Sequence, residues 1–522
     1  MSNEKSPGSD AIRVQDIKYV KKDISPILAN FINMSVRQGL YPDELKCALI
    51  RPIYKQGSHL DYGNYRPIAI LSIVNKITEK IIVRQISNFL DKHNIISDCQ
   101  HGFRQGRSTS TALKQFTDYV NNCLDERKQV VALFVDFKKA FDTLGHDQLL
   151  QAMEECGIRG PLNNWLKSYL SNRSMQTVIS GTRGSEANIR YGVPTGSVYG
   201  PVGYIMHVNS LSNVIENCKM FMYADDTCLL YAHKDLQIIQ KCIQKDLENI
   251  IKWSHDNGII INMTKTKCMH ICSPYNKPKL NSLRVVGHSY DCLHSKCSAD
   301  SIHMDTSIIA CNCADIEFVE KFKYLGLTID QNMSWKTHIN NVCAKLRSAL
   351  GKMYHLRGVV NRATLYSVYY ALADSILSYG LSSYGCTFQT YLDQINSLQI
   401  RCMKLLVDKK TKKACHGEYN KLYSLCKMLP VQDKVKALIV LEEFSSEEFK
   451  NPLTHVIETR NVRNKKLIVP KVCNYYGSRT RKYLVPKILN NLPNEIRNGS
   501  FSKNVFKLKI NNYLLANQNN VL

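Results

Sequence analysis

Val130-Val131-Ala132-Leu133-Phe134-Val135-Asp136 is the stretch on which the fold turns. A continuous, valine-rich apolar run of this length is the pattern of a strand buried on both faces, and it ends on a carboxylate. Farther along, Met220-Phe221-Met222-Tyr223 and Thr227-Cys228-Leu229-Leu230-Tyr231 are two short strand-like runs. Ala224-Asp225-Asp226 separates them, which leaves room only for a tight hairpin with two aspartates at its tip. If these strands share one sheet, Asp136, Asp225 and Asp226 converge. Clustered carboxylates repel unless cations neutralise them, and hard oxygen donors suit Mg²⁺. Two such ions would activate an attacking 3′-hydroxyl and stabilise a pyrophosphate leaving group, so the implied chemistry is nucleotidyl transfer. A Tyr-x-Asp-Asp string alone is weak, because turns attract aspartate.

Around this centre, Ile77, Ile81, Ile82, Ile86, Phe89 and Leu90 recur at helical steps, as do Ala112, Leu113, Phe116, Val120 and Leu124 behind Ser108 and Thr109 as caps. A basic, glycine-bearing loop from Gln100 to Arg107 lies between them. Asp235 to Trp253 reads as a helix, Lys265 to Ile271 and Tyr324 to Ile329 as strands, and His338 to about Leu406 as helix-rich. The chain has 522 residues, more than one core usually supports, and 44% hydrophobic with 22% charged residues excludes a disordered or fibrous protein. A net charge of +25 favours a polyanionic partner, nucleic acid first and an anionic membrane second. Residues 401–522 hold 24 lysines and arginines against 9 acids, a bias that suggests a separate basic module. The apolar runs are far shorter than the ~18 residues of a membrane span, and Met1 to Asp10 lacks a secretory core. With 19 cysteines read as reduced thiols, the expectation is a nuclear or cytoplasmic protein, neither secreted nor in a membrane.

Several motifs in fixed order then carry a resemblance. Lys5 to Asp10, Asn64-Tyr65-Arg66-Pro67-Ile68, Gln100 to Ser108, Phe134 to Asp142, Gly192 to Pro201, Tyr223-Ala224-Asp225-Asp226, Gly258 to Lys267 and Lys323-Tyr324-Leu325-Gly326 follow one another. Together they resemble the reverse transcriptases of non-LTR (LINE-type, jockey-like) retrotransposons, over residues 5 to about 400. The resemblance implies a mixed α/β (α+β) right-hand polymerase with fingers, an antiparallel palm sheet and a helical thumb, followed by a basic, mostly helical C-terminal extension. The expected divisions are an N-terminal stub (1–40), fingers and palm (41–270), a Cys/His-containing insertion (271–319), primer-grip strand and thumb (320–400), and a basic nucleic-acid-binding extension (401–522).

The same resemblance implies site roles. Asp136, Asp225 and Asp226 would hold two Mg²⁺ ions, or Mn²⁺ in their place, with the Phe137 carbonyl as a further ligand. Lys265 would protonate pyrophosphate. Arg66, with Lys55 as second candidate, would grip the triphosphate, and Thr195 and Gly196 would line the nucleotide. Phe141 would act as a steric gate against a ribose 2′-oxygen. Arg104 and Arg107 would contact template, and Tyr324, Leu325 and Gly326 would form the primer grip. The partners implied are an RNA template, a DNA primer or target DNA, and deoxynucleoside triphosphates.

The chain departs from the family pattern in places. Thr195 stands where glutamine is usual, and Tyr199 and Gly203-Tyr204 replace the common leucine and phenylalanine. Only a short stub precedes the polymerase, so an endonuclease would act in trans. No ribonuclease H-like acidic run or zinc knuckle is visible. Cys292, Cys297, Cys311 and Cys313 with His288, His294 and His303 read first as an insertion with free thiols and second as a zinc site. The expected activity is RNA-templated DNA synthesis from a 3′-hydroxyl primer; the alternative is a decayed or domesticated RNA-binding relic of the same fold.

Overall fold

The computed structural model of the chain describes residues 6–138, 140–276, 283–294, 313–444, 467–497, 499 and 501–517. Lys5, Lys139, Cys297, His303, Cys311 and residues 460–466, which include Arg460, Arg463, Lys465 and Lys466 of the basic C-terminal stretch, lie outside the described residues. The valine-rich run forms strand Gln129–Val135, the centre of a five-stranded sheet ordered Glu317–Phe318, Lys267–Ile271, Gln129–Val135, Asp226–His233, Lys219–Tyr223. Its two flanking strands are antiparallel to it, while the short edge pair formed by Glu317–Phe318 runs parallel. Val130, Ala132 and Phe134 enter one apolar core, and Val131, Leu133 and Val135 enter the other. Strand side chains alternate faces, so an unbroken apolar run is what a strand between two cores requires.

Helix Thr109–Asp125 covers one face through Leu113, Phe116 and Val120. Ser108 caps it by accepting the Thr111 N–H at 3.4 Å. Helices Ile73–Lys92, Tyr199–His207 and Leu236–Asp256 cover the other face, the last capped by Asp235 on the Gln237 N–H at 2.8 Å. A second sheet, ordered Tyr65–Ile70, Cys47–Tyr54, Arg173–Ile179, Thr182–Ile189, makes the fingers.

Three expectations are corrected. The aspartate hairpin turns on two residues rather than three: Tyr223 pairs with Asp226, so Asp226 begins a strand, and Ala224 takes the left-handed conformation at φ 56°. The Tyr324–Ile329 strand is itself a hairpin, Lys321–Tyr324 against Leu327–Asp330, because Leu325 and Gly326 both have positive φ, 45° and 82°, as a two-residue turn demands. Finally, residue 400 falls inside helix Gln389–Leu406, and Leu422, Val440, Leu489, Phe506 and Leu514 share one core with Phe116 and Tyr384. The positive charges of the tail sit on helices whose apolar stripes turn inward, so composition there reports a surface rather than a boundary. Asp125 accepts the N–H groups of Cys473 and Asn474 at 2.8 Å each, and Arg479 donates to the Met333 carbonyl at 2.7 Å, tying this tail to palm and thumb. Among the described residues no helix is long and apolar enough to cross a membrane.

Candidate active site

Val135 pairs with Thr227, which brings Asp136, next in the chain, level with Asp226 at the mouth of the aspartate hairpin. The electrostatics agree with that register. Desolvation raises the Asp225 carboxyl above its ordinary value, the charge of Asp136 raises it further, and Arg66 opposes the shift. Asp226 is pushed up to about 6 by desolvation and then by Asp225 and Asp136. Three acids from two strands therefore share one field, with Arg66 of the fingers strand facing it.

The segment after Asp136 is held in place by its backbone. The Asp136 carbonyl accepts the Asn262 N–H at 2.7 Å, and the Lys138 N–H donates to the Ile260 carbonyl at 2.8 Å. These bonds flank the facing pair Phe137 and Ile261, whose own polar groups point away from the bridge. The Phe137 carbonyl is thus turned outward beside Asp136. Lys265 is exposed on the turn that follows, its N–H bonded to the Asn262 carbonyl at 3.1 Å.

A glycine-rich loop joins fingers to this site. The Ala69 N–H donates to the Thr195 carbonyl at 2.8 Å, and a Cβ on Gly196 (φ 117°) would lie 2.8 Å from the Ala69 carbonyl oxygen. Gly192 lies as tightly against the Phe141 and Asp142 carbonyls, each 2.7 Å from such a Cβ. The Thr195 hydroxyl donates to Asp142 at 3.2 Å. Phe141 is half-buried, its ring 4.7 Å from Tyr204 and 6.4 Å from Phe103. Asp225 and Asp226 in turn raise the Tyr204 hydroxyl further above its ordinary value, after burial, so Phe141 packs on a residue that senses the acids. Lys55 is exposed just beyond strand Cys47–Tyr54, next to the Arg66–Ile53 pair.

A family model described as Reverse transcriptase (RNA-dependent DNA polymerase) matches residues 53–329, more than half of the chain. The chain belongs to this family. It is 26% identical over 419 residues to the probable RNA-directed DNA polymerase from transposon BS of Drosophila melanogaster, covering 78% of this chain and 43% of that protein. To the RNA-directed DNA polymerase from mobile element jockey of the same organism it is 25% identical over 412 residues, covering 77% and 42%. The chain thus spans less than half the length of these relatives. Among solved structures, apo telomerase from Candida tropicalis, truncated from its C-terminal domain, aligns with a TM-score of 0.36 at 12% identity, covering 58% of this chain and 57% of that one.

Several motif residues of this chain face inward. Arg104 donates to the Ser97 carbonyl at 2.9 Å, and Arg107 pairs with the Asp98 carboxylate at 2.5 Å, so both guanidiniums brace their own loop. Tyr324 is buried between Phe116 and Phe134, and Leu325 is buried as well. Their side chains are closed to a primer; the turn presents Gly326 and Lys323 instead.

One residue escaped the sequence reading. Gln100 is buried, and its Oε1 accepts the N–H groups of Gly102 at 2.7 Å and Ala224 at 2.9 Å. A Cβ on Gly102 would lie 2.4 Å from the Ala224 nitrogen. The Gln100-His101-Gly102 string clamps the left-handed residue that aims Asp225. Its sequence signal was the glycine two residues after a glutamine, which drew notice as part of a basic loop and a family motif but not for a role at the aspartate turn.

Proposed function

We propose that the chain copies RNA into DNA, extending a 3′-hydroxyl DNA primer with deoxynucleoside triphosphates. The observation that carries this reading is the strand register that sets Asp136 beside the Asp225-Asp226 turn. The donor set fits a hard divalent cation. It offers three carboxylates and an outward backbone carbonyl, and the raised carboxyls of Asp225 and Asp226 mark a site short of positive charge. Asp136, Asp225 and Asp226, with the Phe137 carbonyl, would hold Mg²⁺ ions, and Mn²⁺ would fit the same oxygens. Bound there, the metal supplies Lewis acidity toward the attacking hydroxyl and the leaving pyrophosphate.

The remaining roles belong to the chain. Arg66, exposed on a strand stitched to the Thr195-Gly196 loop, binds the triphosphate, since a planar guanidinium matches phosphate oxygens. Lys55 adds charge beside it. Phe141, held by Gly192 and backed by Tyr204, fills the space a 2′-hydroxyl needs. Exposed Lys265 delivers a proton to the departing pyrophosphate. RNA template and DNA primer lie along the basic face, with the primer end against the Gly326 turn, and a nicked target DNA provides that end. Primer extension on poly(rA)·oligo(dT) tests the reading. Mg²⁺-dependent product that disappears in Asp225→Ala supports it, whereas no product from folded protein that still binds RNA assigns the chain to the relic class.

A further inference from the structure

Between the aspartate-bearing sheet and the Leu325-Gly326 turn, the chain makes an excursion whose two ends are pinned together. Val286–Gly287 pairs antiparallel with Ala314–Asp315, opposing Gly287 to Ala314. Gln244 of helix Leu236–Asp256 binds Val286 from both sides, accepting its N–H at 2.9 Å and donating to its carbonyl at 3.0 Å. Arg284 pairs with Asp315 at 2.7 Å. This register places His288, just after one strand, across from Cys313, just before the other. Helix Tyr290–His294 then carries Cys292 one turn past His288.

The three side chains meet. His288 Nδ1 lies 3.2 Å from Cys313 Sγ and 3.7 Å from Cys292 Sγ, and all three donor atoms are within 4.8 Å of one another. Donors around a tetrahedral zinc ion, with bonds of about 2.0–2.3 Å, are separated by roughly 3.3–3.8 Å, so this spacing suits zinc. Imidazole and thiolate are also the donors zinc prefers, and the oxygen-only aspartate cluster is a different site.

We propose that reduced protein binds one zinc ion through His288, Cys292 and Cys313, with water in the fourth tetrahedral position. Cys313 is disulfide-bonded in this structure, while sixteen other described cysteines, Cys292 among them, are in the thiol state. Thiol–disulfide exchange with two equivalents of a thiol reductant breaks the S–S bond, leaving Cys313 and its partner cysteine as protonated thiols and the reductant as its own disulfide. Zinc binding then releases one proton from each cysteine as the Zn–S bonds form, and His288 ligates in its neutral form. The ion would lock the base of the excursion against helix Leu236–Asp256 without touching the polymerase chemistry.

The test uses the full chain purified with a phosphine reductant and no chelator. Elemental analysis is expected to find about one zinc per chain, lost in Cys292→Ser and Cys313→Ser and kept in Cys473→Ser, whose cysteine is exposed and outside the cluster. Cobalt exchanged into the unmutated chain should show thiolate-to-cobalt charge-transfer absorption and tetrahedral ligand-field bands. This readout needs no variant to fold, and His288→Cys, which keeps a zinc-binding donor, should retain the metal. Metal-free reduced protein, a cobalt spectrum without thiolate bands, or equal zinc in all variants would overturn the proposal.

Discussion

Phe141 and Gln100 show two ways in which a single side chain bears on the reaction. Phe141 stands between Phe103 and Tyr204 with its backbone fixed by Gly192, so Phe141→Ala should open space at the sugar without disturbing the acids. Ribonucleotide incorporation relative to deoxynucleotide is expected to rise by about tenfold or more, and unchanged sugar discrimination would remove Phe141 from that role. Gln100 touches no substrate; it positions. Gln100→Ala leaves the Gly102 and Ala224 N–H groups without their acceptor and loosens the turn that aims Asp225. The expected result is a fall in kcat of roughly ten- to a hundredfold with a smaller change in KM, because positioning acts mainly on the transition state. An equal rise in KM with kcat intact would make Gln100 a binding residue. The aspartates were legible because an apolar run ending in a carboxylate has few other readings. Gln100 was not, since its partner is a backbone group 124 residues away and no local pattern announces that contact.

At the scale of elements, the hairpins differ from their sequence reading for one reason: turn length is set by backbone conformation at single residues. Leu325 has positive φ, and the Tyr379 hydroxyl donates to its carbonyl at 2.8 Å, a tertiary bond no propensity encodes. The strand Leu327–Asp330 is joined to the following helix by His338, whose Nδ1 accepts the Thr328 N–H at 3.2 Å. Burial lowers the His338 pKa to about 4, so the folded protein keeps this imidazole neutral. In the unfolded chain it titrates near 6.5. As pH falls from about 6.5 to about 4 the unfolded state takes up a proton the folded state refuses, and stability is lost over that window. His338→Gln, titrated by denaturant unfolding, should lose less stability across the window than the unmutated chain, by on the order of 2–3 kcal/mol. Parallel curves would show that His338 is not the group responsible.

Across the whole molecule, two cores lie on either side of one sheet, and the larger runs from helix Thr109–Asp125 through the thumb to Leu514. The mixed α/β class and the antiparallel palm followed from the family resemblance, while the strand-length apolar runs located the central strands. The union of thumb and tail was hidden, because net charge describes what faces water and says nothing of buried partners such as Tyr384 and Phe506. A chain ended after Glu443 would expose the surface that Leu489, Phe506, Ile510 and Leu514 now cover. It should melt at least several degrees lower and aggregate, whereas an unaltered melting temperature would make the tail a detachable module after all. The convergence of Asp136 with Asp225 and Asp226 is tested most directly by single-nucleotide incorporation in Asp136→Asn, Asp225→Asn and the double variant. Residues acting as one unit give non-additive losses, so each single change should cost about a thousandfold or more and the double little beyond that. Near-normal incorporation by Asp136→Asn, with Asp225→Asn inactive, would contradict a shared three-carboxylate centre.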